Sequence, residues 1–253
     1  MTGSRAIHTI ARRLRTDRRG MALMEFAFTM PLLLMAGMYG IEVANLALIN
    51  LRISQIALNL ADNASRVGNT PLTTQQLREV DVNDILQAAR YQGAGIDLTT
   101  RGRIVLSSLE NVSRTFADGT MDTAPVQRIH WQRCLGMMGS AAADVKYRSS
   151  YGDATPLTTA GTDTTTANAG VTKASGMGDT GAMVSAPATT GVIFVEVNYK
   201  YKPLLSGFLF GNTERVHYVA SFIVRDNRDF AQLFNPSPAV STTSKLTCDR
   251  YTS

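Results

Sequence analysis

Four groups of residues have types and spacing that bear on chemistry. The first is Gly176-Met-Gly178-Asp-Thr-Gly181, a formal GxGxxG. Phosphate binding by that pattern needs a strand before it and a helix after it, whose first N–H groups face the anion. Here the flanks are Thr-, Ala- and Ser-rich, so no cofactor is assigned to it. The second group is His8, His130 and His217. None has a Cys or His partner at ligand spacing, so no metal is expected. No GxSxG, HExxH or Walker A stretch occurs. Trp131 beside His130 reads as sheet packing. No catalytic residue is assigned, and the expectation is a protein that is not an enzyme. The third group is Cys134 and Cys248, too few for a disulfide scaffold and without a CxxC. Whether they pair depends on the compartment. The fourth is Glu25, an acid at the edge of a long apolar run, five residues after Gly20. An acid in such a place is costly, which makes it a functional candidate by default.

The element that must position Glu25 is a membrane helix. From Phe26 to Leu51 the one charged residue is Glu42. Those residues as a helix reach about 39 Å, against a hydrocarbon core of about 30 Å. Arg5, Arg12, Arg13, Arg15, Arg18 and Arg19 precede the run, and no further Lys or Arg follows until Arg52. Basic residues stay inside, so the N-terminus is expected in the cytoplasm and the remainder outside. The six arginines less Asp17 give the leader +5, which is the whole net charge of the chain. The rest of the chain is neutral, which argues against nucleic acid as a partner. A cleaved secretory signal would have a shorter apolar region and a small-residue site after it, and no such site is clear. Pro31 removes one helix hydrogen bond and is expected to kink the span. Glu42 is read as an outer-interface residue that snorkels toward water.

The stretch Arg18-Arg19-Gly20-Met21-Ala22-Leu23-Met24-Glu25-Phe26 resembles a type IV prepilin processing site. With the following Pro31-Leu-Leu-Leu34 it resembles more narrowly the TadE/TadG-like pseudopilins of tight-adherence (Flp) pilus systems. The likeness covers roughly residues 15–65. It implies cleavage by a prepilin peptidase between Gly20 and Met21. It also implies that Glu25, with Phe26 beside it, pairs with a terminal ammonium during assembly. Physically, the new amine of Met21 and the Glu25 carboxylate would lie one helical turn apart. Tyr199–Phe208 followed by Val216–Arg225 is similar, less specifically, to the closing hairpin of these proteins.

Apolar spacing continues past the membrane through Ile53, Ile56, Ala57, Leu60, Ala64 and Val67. Gly68 is a C-cap candidate, and Pro71 breaks the helix. Thr73 with Gln76 offers a capping box for short helices over 74–80 and 83–91. Strand-like runs follow at 103–112, 126–134, 191–202 and 215–225, with an Asp118-Gly119 turn between the first two. Segment 151–190 is dominated by Thr, Ala, Gly and Ser, and reads as a long, mobile loop. Asp226–Asp229 reads as a solvated turn.

The fold class expected is α+β: a long N-terminal transmembrane helix, continuing into an amphipathic half, packed on a four-stranded antiparallel sheet. The organisation is a basic cytoplasmic leader 1–20, a span 21–49, an amphipathic extension 50–68 and a periplasmic head 69–253. The resemblance implies a pilus assembly protein in the bacterial inner membrane. Its partners would be the membrane, a prepilin peptidase and other pilin-like and pilus assembly proteins. The alternative is a single-span anchored periplasmic binding or sensor module. A membrane-anchored hydrolase is the most distant reading. Outside the cytoplasm, Cys134 and Cys248 would form a bridge that pins the C-terminal tail.

Overall fold

The computed structural model describes residues 19–68, 74–154, 168–205 and 215–253. Most of the leader, Thr73 and residues 155–167 of the low-complexity segment lie outside the described residues. Helix α1 runs Arg19–Arg66, 48 residues, with Pro31 inside it. Its Leu, Met and Ala content suits a helix wherever it lies. By contact the chain divides into two units, Met1–Ala47 with Pro203–Gly211, and Leu48–Lys202 with Asn212–Ser253.

In the first unit the apolar side chains of α1 are exposed, among them Leu23, Phe26, Leu33 and Ile41. An 18-residue window there has mean hydropathy 1.8, and only 6% of it is buried, so this part of α1 is not covered by the rest of the protein as a core helix is. It is long and apolar enough to cross a membrane. Glu42 corrects the sequence expectation. It is 1% exposed, and it accepts hydrogen bonds from the backbone N–H of Leu204 (3.0 Å) and Leu205 (2.9 Å). A carboxylate in an apolar setting takes amide donors where water is absent.

In the second unit the rest of α1 packs on an antiparallel sheet. Ile53, Ile56, Ala57, Leu60, Ala61 and Ala64 are buried along one stripe, as their spacing predicts. Helix α2, Glu79–Gly93, replaces the two short helices expected, and Gln76 lies before it in an isolated bridge. The capping box is made instead by Arg78 and Asp81, whose carboxylate accepts the Arg78 N–H at 3.0 Å. A short helix α3, Leu98–Arg101, leads into the sheet.

The strands are β1 Gly102–Val112, β2 Val126–Leu135, β3 Val171–Thr172, β4 Thr190–Lys200 and β5 Arg215–Ile223. Their order is β3-β2-β1-β4-β5, antiparallel throughout. The sheet therefore has five strands, not four. The extra one, β3, arises from the segment read as a mobile loop. Residues 168–190 are folded onto the head: Ala169, Met177 and Ala186 are buried, and Gln127 accepts the Ala186 N–H at 2.7 Å. Small residues fill shallow space and let backbone approach backbone, which a count of large apolar side chains does not reveal. Gly170, at φ 93°, has no room for a Cβ, which would meet the Ile129 carbonyl at 2.2 Å. Gly119, at φ 83°, supports the turn expected between β1 and β2.

The two faces of the sheet differ. Ile104, Leu106, Val195, Val197 and Tyr199 point one way, on the side of the Arg133 guanidinium that meets Glu79 of α2. Arg103, Ser107, Gln132, Glu196, Asn198 and His217 point the other way. That polar face is covered by residues 147–154 and by the C-terminal tail. Ser150 N–H donates to Glu196 at 3.0 Å, and Ala154 N–H to Gln132 at 2.7 Å.

Candidate functional site

Gly20, Met21, Glu25 and Phe26 occupy the first turns of α1, and all four are exposed. The rise of the helix separates Met21 from Glu25 by about 6 Å along the axis. A Cβ at Gly20 would meet nothing within 4 Å, so packing does not require a glycine there. The Gly20–Met21 peptide lies within helical backbone. The Thr29 hydroxyl donates to the backbone carbonyl oxygen of Glu25 at 2.8 Å.

Cys134, next to last in β2, is bonded to Cys248 of the tail, Sγ–Sγ 2.02 Å. The tail is held by further contacts. The buried Arg103 donates to the carbonyls of Cys248 (2.6 Å) and Arg250 (3.1 Å), and its guanidinium lies 4.1 Å from the centre of the Tyr251 ring. Burial pulls the Arg103 pKa down. A cavity of about 210 Å³ beside the disulfide is lined by Arg103, Arg148, Asp153 and Tyr251. Arg103 and Arg148 are spent on backbone carbonyls there, which leaves little to hold an anion.

Two polar clusters, one buried and one half-buried, were not anticipated. Within β1, register shifts between Ser108 and Leu109, and His130 becomes the extra residue of β2. The bulge brings His130 Nδ1 to 2.8 Å from Glu110, which also accepts from Ser108 (2.6 Å) and from Arg114. Burial raises the Glu110 pKa, but His130, Arg114 and Ser108 outweigh it, and the carboxyl is held below its ordinary value. The side chains of Glu110, Arg114 and His130 are almost fully buried, so the cluster is closed to a reactant. Its chemistry is that of a locked ion group within the sheet.

The second cluster lies on the polar face. Asn198 Nδ2 donates to Glu196 (2.9 Å) and to the Arg148 carbonyl (3.2 Å), which fixes its amide. Its Oδ1 then faces His217 Nδ1 at 2.7 Å, so Nδ1 carries a proton. His217 Nε2 lies 2.9 Å from the Tyr151 hydroxyl, itself 2.8 Å from Asp179 Oδ1. The single hydroxyl proton serves one of these two neighbours at a time. Sequence spacing offers no clue here, because Tyr151, Asp179 and His217 meet only through the folded loop. Gly176–Gly181 forms the turn of a small hairpin in which Met177 pairs with Val184. It is not a strand-to-helix junction, and it presents no helix N-terminus to a phosphate.

Asp226–Asp229 is also not a solvated turn. Arg228 is buried and donates to the carbonyls of Ala64, Ser65 and Val67 at the end of α1. Against family models, curated proteins and solved structures, the chain matches none.

Proposed function

We propose that the chain is a TadE/TadG-like pseudopilin that helps initiate or anchor a tight-adherence pilus or a related secretion filament. The observation that carries this reading is the pilin-like architecture. One continuous helix is bare and apolar over its first half and is packed on an antiparallel sheet over its second. In this reading the span lies in the bacterial inner membrane, the leader in the cytoplasm and the head in the periplasm. A disulfide in the C-terminal domain fits an extracytoplasmic place. A prepilin peptidase cuts between Gly20 and Met21. Gly20, which packing does not demand, suits a backbone that must enter a tight site. Glu25 then offers its carboxylate to a terminal ammonium, its own or that of a neighbouring subunit, in a low-dielectric setting where each charge offsets the other. The protein works by assembly, with other pilin-like and pilus assembly proteins as partners, and not by catalysis.

The second reading is a single-span anchored periplasmic binding or sensor module. It is favoured by the Gly20–Met21 bond lying inside the helix, as an uncut anchor would have it. N-terminal sequencing of protein purified from membranes with the cognate peptidase present separates the two. A chain beginning at Met21 supports the pseudopilin. A chain that keeps its leader with active peptidase supports the anchored module.

A further inference from the structure

Pro203–Leu205, which follow β4, group by contact with the membrane-capable part of α1. This segment is held by Glu42 through the N–H groups of Leu204 and Leu205. Glu42 follows the apolar run directly: Leu23–Ile41 as a helix covers about 29 Å, close to the thickness of a hydrocarbon core. A carboxylate at that level would keep to water if it could, yet Glu42 is 1% exposed. It satisfies itself with backbone donors, and the side chain of Leu204 is left 61% exposed beside it.

We propose that Pro203–Leu205 is a second membrane contact, in which Glu42 clamps this segment to α1 and Leu204 enters the outer boundary of the same bilayer. The partner is lipid acyl chain at the head-group border. Pro203–Leu205 group by contact with the apolar part of α1, and Leu204 and Ile41, the residue before Glu42, are both exposed large apolar side chains. The clamp also gives the buried acid a purpose, because without this segment Glu42 would lose these donors. The inference rests on the membrane reading of α1.

The test uses the full chain in vesicles of phosphatidylethanolamine and phosphatidylglycerol carrying brominated acyl chains. Because Cys134 and Cys248 are bonded to each other, a single added cysteine can be labelled with an environment-sensitive fluorophore. Labels are placed by Leu33→Cys in the span, Leu204→Cys in the clamped segment and Met121→Cys on the head, where Met121 is 65% exposed. The expected result is quenching at 33 and 204 and none at 121. Adding Glu42→Ala should reduce quenching at 204 to the level at 121 and leave 33 unchanged. Glu42→Gln, which keeps an acceptor, should retain quenching at 204. A label at 204 that behaves like 121 while 33 is quenched overturns the second contact alone. Absence of quenching at 33 overturns the membrane reading beneath it. Unchanged quenching at 204 in Glu42→Ala overturns the clamp.

Discussion

The guanidinium of Arg228 is bonded to the carbonyl oxygen of Ala64, in the last turn of the helix that starts at Arg19. It also reaches the carbonyls of Ser65 (3.2 Å) and Val67 (2.8 Å). A helix leaves its last carbonyls without internal partners, and its C-terminus carries partial negative charge. Gly68 does not close the helix by a left-handed turn. A Cβ there would instead strike the Gln75 side chain at 2.8 Å. Arg228 takes the place of that cap.

Arg228→Met should therefore destabilise the full chain in detergent by about 2–4 kcal/mol, since hydrogen bonds to a charged group are worth about 1.5–3 kcal/mol and buried carbonyls are left bare. Denaturant melts followed by near-ultraviolet dichroism measure it. Arg228→Lys should recover part of the loss, because one ammonium cannot reach three carbonyls in a fork. A Met variant as stable as the parent would mean that water serves these carbonyls equally well.

The parts of the fold legible in the sequence are those with a period. The stripe from Ile53 to Ala64 is buried at its helical spacing, and β1, β2, β4 and β5 form at the β-branched and aromatic runs, although β1 and β4 are buried on both faces and not at alternate residues. What escaped depends on partners distant in sequence. Glu42 and Arg228 look like solvated charges until the backbone groups they serve are brought to them. Sequence alone sends Glu42 to water as an interface residue, whereas it is buried on the backbone N–H groups of Leu204 and Leu205. The low-complexity segment escaped for a different reason: its Ala and Gly residues pack by closeness of backbone and not by side-chain volume.

Glu25 is exposed on the first turns of α1, and its removal makes the span more apolar. Glu25→Ala should therefore leave the protein in the carbonate-resistant membrane fraction at the parental level. Surface filaments counted by electron microscopy should fall at least tenfold if the carboxylate answers a terminal ammonium. Filament numbers equal to the parent would show that Glu25 is merely tolerated at the helix edge.

His217 gives the head a pH dependence whose sign can be worked out. Burial pulls its pKa below 6.5, Arg215 adds to that, and Glu196 and Asp179 oppose it. The unfolded chain then binds the proton more readily than the folded one. The contribution to stability is full above about pH 6.5 and is lost as pH falls through the folded value. Protonation also makes Nε2 a donor, so the Tyr151 hydroxyl must turn wholly to Asp179. Glu110 adds a separate loss at lower pH, below its ordinary value of 4.5. Denaturant midpoints between about pH 7.5 and 5.5 should fall in the parent and flatten in His217→Gln. Equal slopes in the two proteins would remove His217 as the source.

The Cys134–Cys248 bridge closes a sequence separation of 114 residues, for which the chain-entropy picture gives about 4–5 kcal/mol. The tail has other holds that survive its loss. Cys134 N–H donates to the Leu246 carbonyl at 2.7 Å, Gly136 N–H to Thr252 at 2.8 Å, and Lys245 Nζ lies 3.4 Å from Glu79, which is also paired with the buried Arg133. These contacts act in the folded state, whereas much of the bridge's effect lies in restricting the unfolded chain. Replacing both cysteines by serine should thus lower global stability by about 2–4 kcal/mol while the tail stays docked most of the time. Limited trypsin digestion reads the docking at Lys245 and Arg250, and denaturant melts read the global loss. A large rise in cleavage at Lys245 with an unchanged melt would reverse the assignment, making the bridge a local clasp for the tail and not a constraint on the whole head.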